Sequence, residues 1–237
     1  MAWWLGSTGA VADPIKRAVG NAYINLMRCP SSPLSLTYNT GNLSTGGNLP
    51  VQTTDYVVIG GSNLHQTVEN VNSNAQWSAG GCFVPNESVR FARITDGTSN
   101  VLMIGEQGNF SYSGTGLTTK NDDRMGAADN TCMWMGSKNG KPPKGGTNVC
   151  GGSCGTGGTN DGRCYNLVVA RYAVNLRTRP TGGAGRSQCN VPFRSAHPGG
   201  AQFGIGDGKV TFVSENIDLD MFRNMCDKDD GISVRIP

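Results

Sequence analysis

Eight cysteines are the most conspicuous reactive groups in the sequence: Cys29, Cys82, Cys132, Cys150, Cys154, Cys164, Cys189 and Cys226. An even number of cysteines in a chain with few other reactive groups favours disulfides, and hence an oxidising compartment such as the periplasm, the cell surface or the medium. Their connectivity cannot be deduced from the sequence. A zinc site using Cys150, Cys154 and Cys164 is the alternative, but their spacing lacks the paired C-x2-C motif of structural zinc sites.

One segment formally fits a catalytic motif. Ser153 lies in a G-x-S-x-G sequence, and His197 could serve as its base. A nucleophile elbow needs an apolar strand before the serine and a helix after it, whereas glycine-rich sequence flanks Ser153 on both sides. His197 precedes a Pro-Gly-Gly segment that is typical of a turn. Because the zinc-protease, P-loop and dinucleotide-binding motifs are also missing, we predict no catalytic residues, no cofactor-binding residues and no enzymatic activity.

Three carboxylates near the C-terminus are weak candidates for a calcium site: Asp227, Asp229 and Asp230. Oxygen ligands suit this ion, but Gly231 falls at the fifth loop position rather than the sixth, and no glutamate follows at the twelfth. This excludes an EF-hand and leaves an irregular calcium loop open. We therefore predict no metal site and no cofactor, with calcium as the alternative.

Composition limits the class of protein. The 237 residues include 35 glycines, 16% charged residues and 7% aromatic residues, which favours strands and long turns over a helical bundle. The net charge of +3 comes from scattered basic residues, so nucleic acid is not an expected partner. No apolar run is long enough for a membrane span. The first ten residues lack the features of a signal peptide. If the protein is exported, the chain is therefore either a processed form or one whose N-terminal part was omitted before Met1.

The elements that position these groups are clearest at residues 194–225. Two alternating runs, 201–206 and 209–214, flank Asp207-Gly208, which predicts a hairpin with a type I′ turn. Asp218 is predicted to cap a short helix that follows. Upstream, Asp13-Pro14 and the apolar spacing after it predict a helix over residues 13–27. Strands are predicted at 54–59, 101–106 and 165–176, and the apolar run VLMIGE (101–106) suits a central position in a sheet.

Residues 108–163 are the least regular part of a chain that we treat as a single domain, 1–237. They are rich in glycine and hold three of the cysteines, with Cys164 directly after them, so we predict a loop-rich insertion stabilised by disulfides.

Four sequence segments together resemble a known bacterial family. His197 is followed after nine residues by Asp207-Gly208, and RCPSSP (28–33), TDYVVIGG (54–61) and RITDGTSNVLMIGE (93–106) precede them in order. This pattern resembles the planctomycete-type prepilin-like proteins, the domain-of-unknown-function family 1559. The resemblance marks His197, Asp207 and Gly208 as signature positions. The long apolar N-terminal helix of such proteins is missing from this sequence.

The resemblance implies an α+β fold, a pilin-like head in which an N-terminal helix packs on an antiparallel sheet. Long Gly/Cys-rich insertions and a C-terminal hairpin with a short helix would complete it. The implied function is that of a secreted or cell-surface pseudopilin-like structural protein, which assembles into or decorates an extracellular filament or surface layer. Its partners would be further copies of itself or other surface proteins. The alternative is a secreted calcium- or glycan-binding module that uses the 108–163 region.

Overall fold

The computed structural model describes residues 22–39, 50–71, 74–85, 87–124, 167–183 and 188–236. The strands are β1 (Thr37–Asn39), β2 (Pro50–Gln52), β3 (Tyr56–Ser62), β4 (Glu69–Asn70), β5 (Gln76–Trp77), β6 (Leu102–Glu106), β7 (Ser111–Ser113), β8 (Thr119–Asn121), β9 (Leu167–Ala170), β10 (Gly200–Ile205) and β11 (Val210–Ser214). Among these residues the single α-helix is α1 (Leu219–Asn224), and short 3-10 turns occur at Asn25–Met27, Phe91–Arg93, Thr98–Asn100 and Thr115–Leu117. No helix of the described part has the length and apolar character to cross a membrane.

A five-stranded sheet with the order β11-β10-β6-β3-β9 forms the centre of the protein. The pairs β11/β10, β10/β6 and β6/β3 are antiparallel, and β3/β9 is parallel. The predicted antiparallel sheet is therefore wrong, and the sheet is mixed. A parallel neighbour requires a crossover of a dozen or more residues, and the long segment between β3 and β9 allows one.

The predicted N-terminal helix packed on the sheet is also wrong for the described residues. Residues 13–21 of that prediction lie outside the described part. The remaining residues form only the 3-10 turn Asn25–Met27, after which Arg28 is extended with φ −114° and ψ 127°. Leu26, which the prediction placed on a buried stripe, is 89% exposed. Over the described residues the architecture is thus mostly β, with one short α-helix near the C-terminus, instead of the α+β pilin-like head.

The C-terminal hairpin and its helix are confirmed, but the turn differs from the prediction. Gly208 N donates to Ile205 O at 3.0 Å, and Ile205 N donates to Lys209 O at 2.8 Å. Gly208 has φ +90°, whereas Asp207 is not among the residues with positive φ. This is the pattern of a three-residue loop with a type I turn and a glycine bulge, not type I′. Asp218 caps α1, because its Oδ1 accepts from Met221 N at 2.8 Å.

Replacing Gly208 by valine is expected to lower the free energy of unfolding by about 1–2 kcal/mol, because a β-branched residue must enter the left-handed region. A Cβ at this position meets nothing within 4 Å, so the loss comes from the backbone and not from a clash. Urea unfolding measures it. Gly208→Asn is the control, since asparagine tolerates this conformation and should lose less. A valine variant as stable as the parent would contradict the hairpin geometry.

One face of the central sheet packs on the core. Val57, Ala201, Phe203 and Val213 on this face are each at most 4% exposed. Phe222 of α1 is fully buried against them. The rings of Phe193, Phe203 and Phe222 make three mutual edge-to-face contacts, with centroids 5.2 to 6.0 Å apart. The amphipathic helix is held by this aromatic cluster.

The opposite face, here called the outer face, carries Tyr56, Val58, Ile104, Val210 and Phe212. The strand register places three of them in one row, since Val58 is opposite Ile104, Ile104 is opposite Gly204, and Gly204 is opposite Val210. Val210, Phe212 and Ile104 are 71%, 41% and 40% exposed. The alternation predicted for β11 is therefore real, and its buried side is the one that carries Val213.

Candidate functional site

Three side chains with metal-binding atoms converge where β6 ends: Cys29, Glu106 and His197. Cys29 Sγ lies 3.7 Å from His197 Nε2, and Glu106 Oε1 lies 3.7 Å from the same nitrogen. The three ligand atoms are all within 4.8 Å of one another. Cys29 and Glu106 are buried, whereas the His197 side chain is 35% exposed. We call this group the Cys-Glu-His cluster.

Each member of the cluster is held by backbone geometry. Glu106 is the last residue of β6, on the outer face, and its Oε2 accepts from Gln202 N at 3.2 Å. Cys29 follows the 3-10 turn, and its N–H donates to Asp55 Oδ2 at 3.0 Å. His197 N donates to Ser195 Oγ at 2.9 Å. Three distant segments are therefore fixed around one point.

Asp55 anchors the segment that carries Cys29. It is fully buried and also accepts from the side chains of Ser32 at 3.2 Å, Arg28 and Arg124. The Arg124 side chain is itself only 1% exposed, and its Nη1 lies 2.5 Å from Asp55 Oδ1. The position of Cys29 thus depends on a buried ionic network.

Burial and neighbouring acids disfavour the ionised form of the Cys29 thiol. Burial, and next to it the Glu106 carboxylate, raises the pKa of the Cys29 thiol. Tyr56 is on the neighbouring strand, and burial together with Cys29 and Glu106 raises its pKa to about 12. A thiol with a raised pKa is a weak nucleophile at neutral pH.

The geometry also differs from a catalytic triad. A catalytic base uses one ring nitrogen for the nucleophile and the other for the orienting acid. Here Cys29 and Glu106 both approach Nε2 of His197. Because the three groups point at one another instead of forming a chain, the cluster is suited to holding a cation and not to relaying a proton.

Two cavities border the cluster. An apolar groove of about 330 Å³ on the outer face is lined by residues that include Leu26, Met27, Tyr56 and Ile104. A polar cleft of about 320 Å³ is lined by His197 and by residues that include Arg177. His197 therefore connects the buried cluster to an open, polar cleft.

The comparison with known families is decisive for one prediction. A family model described as a protein of unknown function (DUF1559) matches residues 6–220. The chain belongs to the DUF1559 family. No curated protein and no solved structure matches it with significant similarity. Family membership predicted from the sequence segments is confirmed, and the prepilin-like relationship stays a prediction.

The signature residues of this DUF1559 protein lie in two places. Asp207 and Gly208 form the hairpin loop between β10 and β11, where Asp207 Oδ1 accepts from Lys209 N at 3.0 Å. His197 belongs to the Cys-Glu-His cluster. We predicted a structural role for all three, and the place of His197 before a turn did not suggest its contacts with Cys29 and Glu106.

The weak calcium candidates are occupied by protein partners. Asp227 Oδ1 accepts from Ser62 N at 2.7 Å, and Asp227 Oδ2 accepts from the Ser62 hydroxyl at 2.5 Å. Burial raises the pKa of the Asp227 carboxyl to about 7. Asp229 Oδ1 lies 3.1 Å from the buried Lys228 Nζ, and Asp230 Oδ1 accepts from Ile232 N at 2.7 Å. Carboxyl oxygens that already accept from protein donors, beside a buried lysine, are poor surroundings for calcium.

The structure describes some of the cysteines, and these differ in their bonding state. Cys29, Cys82 and Cys226 are buried free thiols, so the predicted disulfides are not confirmed at these positions. Cys189 is buried and disulfide-bonded, and none of those three is its partner. Outside the described part lie Cys132, Cys150, Cys154, Cys164 and Ser153, together with most of the predicted 108–163 insertion.

Sequence reasoning missed the cluster because no local spacing links its members. We predicted that Cys29 forms a disulfide, that His197 lies in a turn, and that VLMIGE is a central strand. The strand prediction was right, but the glutamate that ends this strand was not considered. An acid that closes an otherwise apolar central strand is the signal that could have pointed to a buried functional carboxylate.

Proposed function

We propose that this DUF1559 protein is a non-enzymatic structural protein that is exported and works in an extracellular filament or surface layer. It associates there with further copies of itself through the outer face. The observation that carries this proposal is the row of apolar side chains across neighbouring strands of the central sheet. Val210, Phe212 and Ile104 on this row or beside it are 40% to 71% exposed.

A contiguous apolar surface of this kind is unfavourable on a protein that stays alone in water. The groove lined by Tyr56, Ile104 and Leu26 extends the surface across the sheet. The apolar row can pack on the same row of a second copy, which is the basis of a two-fold interface. The net charge of +3 over 237 residues opposes such an association only weakly.

Two further observations support export and a structural role. Cys189 is disulfide-bonded, and disulfides persist in oxidising compartments. The resemblance to prepilin-like proteins implies assembly outside the cell. Calcium binding by Asp227, Asp229 and Asp230 is disfavoured by their contacts with protein groups. The alternative of a calcium- or glycan-binding module that uses residues 108–163 stays a prediction.

Sedimentation velocity over a concentration series tests the outer face. Wild-type protein is expected to self-associate, and the double variant Ile104→Thr/Phe212→Thr to do so at least about tenfold more weakly, a loss of only about 1.4 kcal/mol. Burying one apolar side chain contributes about 1.5–3 kcal/mol, so a tenfold loss is a modest expectation.

Phe91→Thr is the matched control. Phe91 is 73% exposed, but it lies in a 3-10 turn outside the sheet. Its replacement should leave association unchanged. Wild-type protein that remains monomeric at every concentration, or a double variant that associates as strongly as wild type, would refute the outer face as the interface.

A further inference from the structure

We propose that Cys29, Glu106 and His197 form a binding site for one divalent transition-metal ion, with zinc as the best match. The proposal goes beyond the structural role and does not depend on it. It rests on the positions of the three ligand atoms, on an unpartnered carboxylate oxygen, and on the chemistry of the donor set.

The distances between the ligand atoms are close to those that zinc requires. With Zn–S near 2.3 Å and Zn–N and Zn–O near 2.0 Å, tetrahedral geometry places sulfur about 3.5 Å and oxygen about 3.3 Å from the nitrogen. In the cluster, His197 Nε2 lies 3.7 Å from both Cys29 Sγ and Glu106 Oε1. The two distances to Nε2 need to shorten by only a few tenths of an ångström, and the sulfur–oxygen distance is within 4.8 Å. Small side-chain movements toward a common centre would place the three atoms at three corners of the tetrahedron.

One oxygen of the Glu106 carboxylate is buried without a hydrogen-bond partner in the described part. Glu106 is fully buried, and its Oε1 accepts no hydrogen bond within the described part. A buried carboxylate oxygen without a partner is costly, because it has lost its hydration and gained nothing in return. Its other oxygen is fixed by Gln202 N, so Oε1 is aimed at His197 and Cys29. A cation between the three groups would supply the missing partner.

The backbone next to the cluster leaves space for it. Gly108 follows Glu106 by two residues, and a Cβ at this position would lie 3.3 Å from Glu106 Oε1 and 3.7 Å from Cys29 Cβ. Glycine therefore keeps side-chain atoms away from the point where the ligand atoms converge.

The donor set selects the kind of metal. A thiolate and an imidazole favour zinc and its neighbours in the first transition series over calcium or magnesium, which prefer oxygen ligands only. When the metal binds, the Cys29 thiol releases its proton to solvent and sulfur coordinates as the thiolate. Three protein ligands leave a fourth position, which water can fill from the side on which His197 is exposed.

The surrounding contacts are those that a metal site needs. Asp55 holds the Cys29 backbone, Gln202 N orients Glu106, and Ser195 Oγ holds the His197 backbone. Such outer partners fix the direction of each ligand before the metal arrives.

Cobalt(II) titration of the metal-free, reduced full chain tests the site by absorption spectroscopy. Wild-type protein is expected to bind one equivalent with a thiolate-to-cobalt charge-transfer band and the visible bands of four-coordinate cobalt, and zinc should displace it. Cys29→Ser should abolish the charge-transfer band. Cys82→Ser, which removes another buried free thiol, is the matched control and should retain it. Glu106→Gln and His197→Gln should each weaken binding at least about 100-fold, because losing even an outer partner costs about 10–100-fold.

Three outcomes would overturn the site: no charge-transfer band in wild type, a band that persists in Cys29→Ser, or unchanged affinity in both Glu106→Gln and His197→Gln. A persisting band would mean that other thiols bind the metal. If circular dichroism shows that Cys29→Ser does not fold, X-ray absorption at the zinc edge of zinc-loaded wild-type protein replaces this variant, because it counts the sulfur ligands of the metal. One sulfur ligand supports the site, and none or several refute it.

Discussion

Replacing Asp55 by alanine is expected to destabilise the protein by about 3–5 kcal/mol, the cost of leaving a buried ion without its partner. Asp55 is fully buried and accepts from Arg124, Arg28 and the backbone of Cys29. The Arg124 guanidinium would keep Asp122 as a partner but would lose the buried half of its ion pairing. Urea unfolding followed by circular dichroism measures the loss.

An exposed ion pair provides the control. Glu87 and Arg93 lie 2.6 Å apart, with side chains 36% and 52% exposed. Glu87→Gln should change stability by less than about 1 kcal/mol, because surface pairs are solvated and screened. If Asp55→Ala costs no more than Glu87→Gln, the buried network does not anchor the Cys29 segment.

Replacing Phe222 by alanine is expected to cost about 3–5 kcal/mol, the range for large-to-small changes of a buried aromatic residue. Phe222 is fully buried in α1, with ring centroids 6.0 Å from Phe193 and 5.6 Å from Phe203. Its removal leaves a cavity between the helix and the central sheet. Thermal or urea unfolding would show the loss.

Phe212→Ala separates burial from aromatic character. Phe212 lies on the outer face, 41% exposed, and at concentrations where the protein is monomeric its replacement should cost less than about 1 kcal/mol. Equal losses for Phe222→Ala and Phe212→Ala would contradict the assignment of the two faces of the sheet.

Local patterns in the sequence predicted local structure well. The β10–β11 hairpin and the Asp218 cap follow from neighbouring residues and are present. VLMIGE was predicted as a central strand, and β6 lies in the middle of the sheet. The turn type was wrong because the loop begins one residue earlier, at Gly206, so that only Gly208 takes positive φ.

Long-range features could not be predicted in the same way. The parallel position of β9 beside β3 depends on a crossover that no local pattern records. The N-terminal helix was inferred from apolar spacing, yet Leu26, which belongs to that spacing, lies in a 3-10 turn and is exposed.

The Cys-Glu-His cluster was missed for the same reason. Cys29, Glu106 and His197 belong to three segments with no characteristic spacing, and the β3–β6–β10 part of the sheet brings them together. From the sequence alone we assigned Cys29 to a disulfide and His197 to a turn. Only the folded chain shows that a cysteine beside a 3-10 turn and a glutamate ending β6 meet the same imidazole nitrogen.

Both proposals involve residues of the outer face. It carries the exposed apolar row proposed for self-association, and Glu106 of the metal site lies at one end of it, opposite Tyr56. The two can nevertheless be separated by experiment, because Ile104→Thr/Phe212→Thr leaves the metal ligands in place. Cys29→Ser likewise leaves the apolar row intact.

Immunogold electron microscopy of native cells tests the central claim, an exported structural protein, most directly. We predict label outside the cell, arranged along filaments or in a continuous surface layer, with the Ile104→Thr/Phe212→Thr variant exported but no longer ordered. Label confined to the cell interior, or single dispersed particles in the native material, would contradict the account.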